Sequence, residues 1–218
     1  MHAKRLSATL SDPAAKAWAQ VPAEPVALSA TPIALLPSRT VRTAWATRPY
    51  GLVRELSAQV AHDGESIYVR LQWESPTRAP SAAADFEGPI EGPDAFPDAV
   101  AVMFPSNGEA ELQHGSEEAP VSVWRWAAGT PDTVENLTAT GIGTLRPADG
   151  PGGLWARSHA EGTRWQVVFG RPLAGDGTPA FAPGTSISVG FAVWVGANQE
   201  RAGLKASSQQ WSEVMLDA

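Results

Sequence analysis

The chain has 218 residues, a net charge of −7 and a pI near 5.1, which argues against nucleic-acid binding, and no basic cluster or RNA-binding signature offsets it. It contains no cysteine, which excludes disulfides, thiolate zinc sites, Cys-ligated Fe–S clusters and covalent c-type haem. No run of about 18 apolar residues occurs, so no transmembrane helix is expected, and the length suits one domain, 1–218.

Nineteen prolines and twenty glycines favour many turns between short strands. The start, MHAKRL, is charged and has no apolar stretch behind it. A cleavable signal peptide is therefore not expected, and the chain is read as cytosolic, already processed, or exported with a signal-bearing partner. Residues 1–20 read as an N-terminal arm. Ser11 or Asp12 is placed to cap a short helix with Pro13 at its first position, or the arm docks through Trp18. The run PIALLP (32–37), between proline stops, predicts an edge strand.

From Leu52 the alternation is clear. Ile67, Val69, Leu71 and Trp73 recur every two residues, the signature of a half-buried strand. His62-Asp63-Gly64-Glu65 joins it to the preceding run as a hairpin turn. Residues 76–97 read as a loop holding Pro80, Pro89, Pro93 and Pro97 and the acids Asp85, Glu87, Glu91 and Asp94. A functional loop and a solvated surface loop are equally open there. DAVAVMFP (98–105) is a second apolar run, followed by the turn Ser106-Asn107-Gly108.

PVSVWRWA (120–127) sets Val121 and Val123 on one face and Trp124 and Trp126 on the other. GIGTLR (141–146), 154–159 and TRWQVVF (163–169) follow as further strands. TSISVGFAVWV (185–195) is the longest strand signal. It stops at Gly196, and a polar, glycine-containing loop runs on to a lone lysine, Lys205. QWSEVMLD (210–217) supplies the last strand. Eight to ten short strands with regular turns predict an all-β, antiparallel β-sandwich or barrel with only short helical segments. Most of Trp73, Trp124, Trp126, Trp165 and Trp194 are placed in its core or at an interface.

Hydrolytic chemistry finds no support. There is no G-x-S-x-G, no cysteine nucleophile and no HExxH spacing. His2, His62, His114 and His159 are scattered through turns and termini, and no carboxylate pair stands out. Asn136-Leu137-Thr138 fits a glycosylation sequon. Gly150–Gly153 lacks the context and lysine of a phosphate loop. By residue type alone, Met103 is a core methionine and Lys205 a surface lysine, and the reading reaches a soluble β-sandwich and stops.

FAVWVGANQERAGLKASSQQW (191–211) resembles the C-terminal signature of the haem-b γ subunits of the type II dimethyl-sulfoxide-reductase family, closest to the ethylbenzene dehydrogenase pattern. AVAVMFP resembles that family's methionine-bearing strand, and MHAKRL and AHDGESIYVRLQW also fit. The resemblance implies a β-sandwich holding one haem b, with Met103 and Lys205 as axial ligands to the iron. It implies an Fe–S-cluster β subunit and a molybdenum-cofactor α subunit as partners, a soluble cytochrome c-like carrier, and a periplasmic site reached with a signal-bearing subunit. The chain itself is then non-catalytic, and hydrocarbon-hydroxylating dehydrogenases are the nearest type.

A thioether is a soft, neutral ligand that favours ferrous iron. Lysine binds iron only as the neutral amine, so metal and a dry pocket must displace its proton. A haem needs an apolar cleft, which a sandwich can open between its sheets, and polar groups for its propionates. Arg201 or a nearby backbone amide is the expected partner there. The rival reading is a non-catalytic carbohydrate-binding β-sandwich, which requires several tryptophans in solvent on one face and no haem.

Overall fold

The computed structural model describes residues 1–8, 10–36, 38–76, 96–107, 110–112, 114–129, 133–148, 152–174 and 180–218. Its strands are β1 (His2–Arg5), β2 (Glu24–Ala27), β3 (Ser29–Ala30), β4 (Glu55–His62), β5 (Ser66–Glu74), β6 (Ala99–Pro105) and β7 (Val121–Ala127) in the first part of the chain. They continue as β8 (Glu135–Ala139), β9 (Arg146–Pro147), β10 (Trp155–Glu161), β11 (Arg164–Pro172), β12 (Ser186–Trp194), β13 (Ala206–Ser207) and β14 (Ser212–Leu216). One short helix, α1 (Arg39–Ala44), is capped by the Ser38 hydroxyl, which accepts from the Val41 N–H at 3.1 Å.

The strands follow the path β10-β11-β5-β4-β1-β14-β12-β6-β7-β8-β9. The path folds into two layers because β12 belongs to both. Ser186–Val189 pair with β14, whereas Gly190–Trp194 pair with β6. Strands that pass from one sheet to the other make the corners of such sandwiches. The period of two then sorts the side chains. Val60, Val69, Leu71, Val167 and Phe169 of the first layer meet Val100, Val102, Phe104, Phe191 and Val193 of the second in one buried core. Trp73, Trp126 and Trp165 cluster within it, with ring centroids 5.0–6.4 Å apart. The interior is packed with side chains.

The expected hairpin is β4–β5, and the arm does dock through Trp18, which is buried on a 3-10 turn (Lys16–Gln20). Arg70 and Gln59 hold it. Arg70 Nε donates to Pro13 O at 2.8 Å, and Gln59 Nε2 donates to Trp18 O at 2.9 Å and Val21 O at 2.7 Å.

Three sequence expectations differ. The sheet is not wholly antiparallel, since β1 runs parallel to both β14 and β4. That strand offers little apolar pattern to read, because only Ala3 of its four residues is buried. PIALLP is no edge strand. Ile33–Leu35 form a 3-10 turn closed by Leu35 N to Pro32 O at 2.9 Å. GIGTLR forms a turn from 141 to 145 that leads into β9. The strand there is β8, the polar ENLTA, which carries no strand-like apolar run. The 76–97 loop falls almost entirely outside the described residues.

Candidate haem site

Met103 lies on β6, whose residues alternate between the two faces of the second layer. Val100, Val102 and Phe104 enter the sandwich core. Ala99, Ala101 and Met103 point the other way and join Leu112, Val121, Val123, Ala192 and Trp194 in a separate apolar cluster on the outer face. Lys205 reaches that same face by the pairing of Ala206 with Val193, which sets it beside Trp194. Its Nζ lies 5.5 Å from the Trp194 ring centroid. The register places Trp194 opposite Ala99 and Gly190 opposite Met103. Met103 and Lys205 thus sit two strands and four residues apart, and both line one cavity of about 570 Å³. That volume falls within the roughly 300–1,000 Å³ of ligand pockets.

The cavity is on the outer face of the second layer, not between the sheets. Its walls are apolar: Leu112, Val121, Val123, Leu137, Ala139 and Trp194. Its rim carries Ile142 and Leu145 from the β8–β9 turn, which are 46% and 49% exposed and are among the few large hydrophobic side chains left in solvent. Charged groups enter at few points. Besides Lys205 they are Arg125, ion-paired with Glu135, and His114, whose Nε2 is 3.2 Å from Glu111 Oε2.

Two buried carboxylates fix the segment that delivers Lys205. Asp98, fully buried at the head of β6, accepts from Gly196 N at 2.8 Å through Oδ1 and from Trp165 Nε1 at 2.9 Å through Oδ2. The start of the lysine loop is therefore tied to the strand that carries Met103. Glu200, also buried, folds the loop onto itself. Its Oε2 accepts from Val195 N at 2.9 Å, and its Oε1 accepts from Asn198 Nδ2 at 3.0 Å and Leu52 N at 3.2 Å.

Gly196 must be glycine, because a Cβ would stand 1.9 Å from Phe96 O. Gln199 and Ala202 adopt left-handed φ of 59° and 51°. Such conformations persist only where the surroundings enforce them. Arg48 supplies part of that force, donating to Gln199 Oε1 and Asn198 O, both at 3.0 Å. Trp194 Nε1 donates to Ala202 O at 3.0 Å. At the far end Thr31 N donates to Lys205 O at 3.0 Å, and Tyr50 OH donates to Thr31 O at 2.6 Å. Gly51, at φ +61°, leaves room for that carbonyl, since a Cβ there would lie 2.9 Å from it.

Lys205 is half-buried, and desolvation by the cavity walls lowers its ammonium from its ordinary 10.5 to about 8. A metal ligand gains from that shift, because less work is needed to strip the proton. The cofactor-free fold is weakened by it. The folded-state value lies below the unfolded one, so protonation favours unfolding: the penalty is complete below about pH 8 and vanishes as pH rises through 10.5. In cofactor-free protein, Lys205→Met is accordingly expected to raise the urea midpoint at pH 7 and to lose that advantage toward pH 10.5. An equal midpoint at pH 7 would count against the burial.

Of the residues expected to serve the cofactor, the structure brings Met103 and Lys205 to one cavity. Arg201 is placed elsewhere. It is exposed, its guanidinium lies 5.3 Å from the Phe96 ring centroid, and it is not among the cavity-lining residues. Sequence reasoning missed Asp98, Glu200, Arg125 and Glu135. The signal for Asp98 was present, an acid directly before a seven-residue buried strand. Among the described residues, no group of three His, Cys, Asp or Glu side chains is placed to hold a metal ion.

Residues 15–156 match the family model described as ethylbenzene dehydrogenase. The chain belongs to this family. The matched span includes Met103 and ends before Lys205. The chain is 32% identical over 201 residues to a candidate respiratory nitrate reductase heme subunit of Haloferax mediterranei, covering 90% of this chain and 65% of that protein. It is 35% identical to dimethylsulfide dehydrogenase subunit gamma of Rhodovulum sulfidophilum, over 72% of this chain and 59% of that one. It is also 35% identical to chlorate reductase subunit gamma of Ideonella dechloratans, over 74% and 64%. The chain thus spans about three-fifths of the length of these relatives.

Solved structures resemble this ethylbenzene dehydrogenase family member in fold alone. A family 9 carbohydrate-binding module of Caldicellulosiruptor kristjanssonii in complex with glucose superposes with a TM-score of 0.56 at 12% identity, over 100% of this chain and 95% of that one. A candidate carbohydrate-binding protein of Bacteroides uniformis gives 0.57 at 11%, over 100% and 98%. The sugar-binding alternative called for several tryptophans in solvent. None of the nine is exposed: seven are buried, and Trp155 and Trp211 are half-buried.

Proposed function

We propose that the chain is the haem-b electron-transfer subunit of a molybdenum oxidoreductase, with Met103 and Lys205 as the axial ligands. The observation that carries this reading is the convergence of a buried thioether and a lysine of depressed basicity on one apolar cavity. The donor set fits: both atoms are neutral when bound. The relatives named as heme or gamma subunits support the same role. Bound there, haem b supplies a one-electron couple. Met103 and Lys205 would hold the iron from its two sides and so leave no position there for substrate or oxygen. The apolar walls exclude water, and the Asp98 and Glu200 hydrogen bonds hold the lysine in place through a change of charge.

The partners proposed are an Fe–S-cluster β subunit, a molybdenum-cofactor α subunit and a soluble cytochrome c-like carrier, in the periplasm. The family model's description favours a hydrocarbon-hydroxylating dehydrogenase, in which electrons leave through this subunit, and the relatives named as nitrate and chlorate reductase subunits favour the reductase alternative, in which they enter. No helix among the described residues is long and apolar enough to cross a membrane. The haem-loaded chain, reduced with dithionite, is expected to reduce a soluble c-type cytochrome and to form no carbon monoxide adduct. Immediate formation of that adduct would overturn the relay role, because it requires an open axial position.

A further inference from the structure

The cavity holds one cation that no ligand role absorbs. Arg125 rises from β7 beside Ala101, its cross-strand partner, on the face that carries Met103. Its Cζ lies 5.6 Å from the Trp194 ring centroid, the same ring that Lys205 Nζ overlies. NH1 donates to Glu135 Oε2, which fixes the guanidinium plane, and that is the one hydrogen bond the group makes among the described residues. A guanidinium has five N–H donors in a rigid fork suited to carboxylates, and four of them have no hydrogen-bond partner among the described residues.

The other charged lining groups are committed. Lys205 serves the iron, Glu135 is an anion, and both ring nitrogens of His114 are engaged, Nδ1 with Gly115 O at 2.9 Å and Nε2 with Glu111 at 3.2 Å. Of the other lining residues only Thr31 carries a polar side chain, and its hydroxyl donates to Lys205 O at 3.5 Å. Haem b carries two carboxylates on one edge, and burying either without a donor is costly. We infer that Arg125, oriented by Glu135, is the carboxylate-binding subsite of this cavity and sets which edge of the cofactor lies toward β7 and β8. The inference rests on the haem reading and assigns to Arg125 the role expected of Arg201.

The test compares haem b with its dimethyl ester, in which both carboxylates are masked, on the full-length protein. Wild type is expected to bind the diacid about ten- to a hundred-fold more tightly, the range of one charge-assisted hydrogen bond. Arg125→Leu is expected to leave ester binding within about threefold and to collapse the preference. Arg125→Gln, a polar and more conservative change, is expected to do the same and carries the test if the leucine variant fails to fold. Arg201→Gln is expected to keep the wild-type preference. A variant at Arg125 with the wild-type ratio overturns the subsite and leaves the haem reading standing. A wild-type chain that takes up neither form overturns both.

Discussion

Lys205→Ala is expected to turn a six-coordinate low-spin haem into a high-spin one and to lower haem affinity by more than the roughly 10- to 100-fold that loss of supporting hydrogen bonds costs a metal site. The lysine is otherwise a poor tenant of its position. Burial disfavours its charge, and no carboxylate lies within ion-pair distance among the described residues. A residue that weakens the cofactor-free fold and has no carboxylate partner points to a ligand role. Met103 needs a sharper test, because a buried methionine is ordinarily core. Met103→Leu keeps the volume and costs less than about 1.5 kcal/mol of stability, yet it removes the thioether. The expected result is a folded protein with altered haem ligation. An unchanged low-spin spectrum in Met103→Leu would return Met103 to the core. Absorption spectra and haem titration of the two variants decide each ligand separately.

Asp98→Ala is expected to be the most damaging change outside the cavity. It removes the acceptor from two buried donors, Gly196 N and Trp165 Nε1. Each buried donor left without an acceptor costs about 1–3 kcal/mol, so the loss is about 2–6 kcal/mol against the 5–15 kcal/mol that holds a typical domain together. The effect on the site is separable from the effect on the fold. Gly196 opens the loop that ends at Lys205, so its release frees the lysine end of the ligand pair and leaves Met103 in its strand. Asp98→Asn keeps one acceptor and sets an N–H₂ against a donor. It is expected to fold with reduced stability and to give a mixture of low- and high-spin haem. Denaturant midpoints and spin state, measured on both variants, check this. Wild-type spin state in a destabilised Asp98→Asn would make Asp98 purely structural.

The sandwich and its strongest strands were legible because their side chains alternate against a core. Ile67 to Trp73 and 185–195 show the pattern plainly. β1 and β8 were not, since one buries a single alanine and the other faces a cavity with polar and half-exposed residues. The site divides the same way. Met103 and Lys205 were reached through a resemblance, because residue type alone marks neither. Their delivery to one outer-face cavity depends on the β12–β13 and β12–β6 registers, and the second of these joins segments about 90 residues apart that no local pattern encodes. Arg201 lies only four residues before Lys205 in sequence. The left-handed Ala202 between them redirects the chain, and Arg201 ends on the Phe96 ring.

The most direct measurement is the visible spectrum of the purified chain, made with ample haem, oxidised and then reduced with dithionite, together with its pyridine haemochrome. A sharp low-spin b-type spectrum at one haem per chain is the expected result. A chain folded by circular dichroism that shows no Soret band would contradict the assignment of Met103 and Lys205 as ligands and the electron-transfer role built on them.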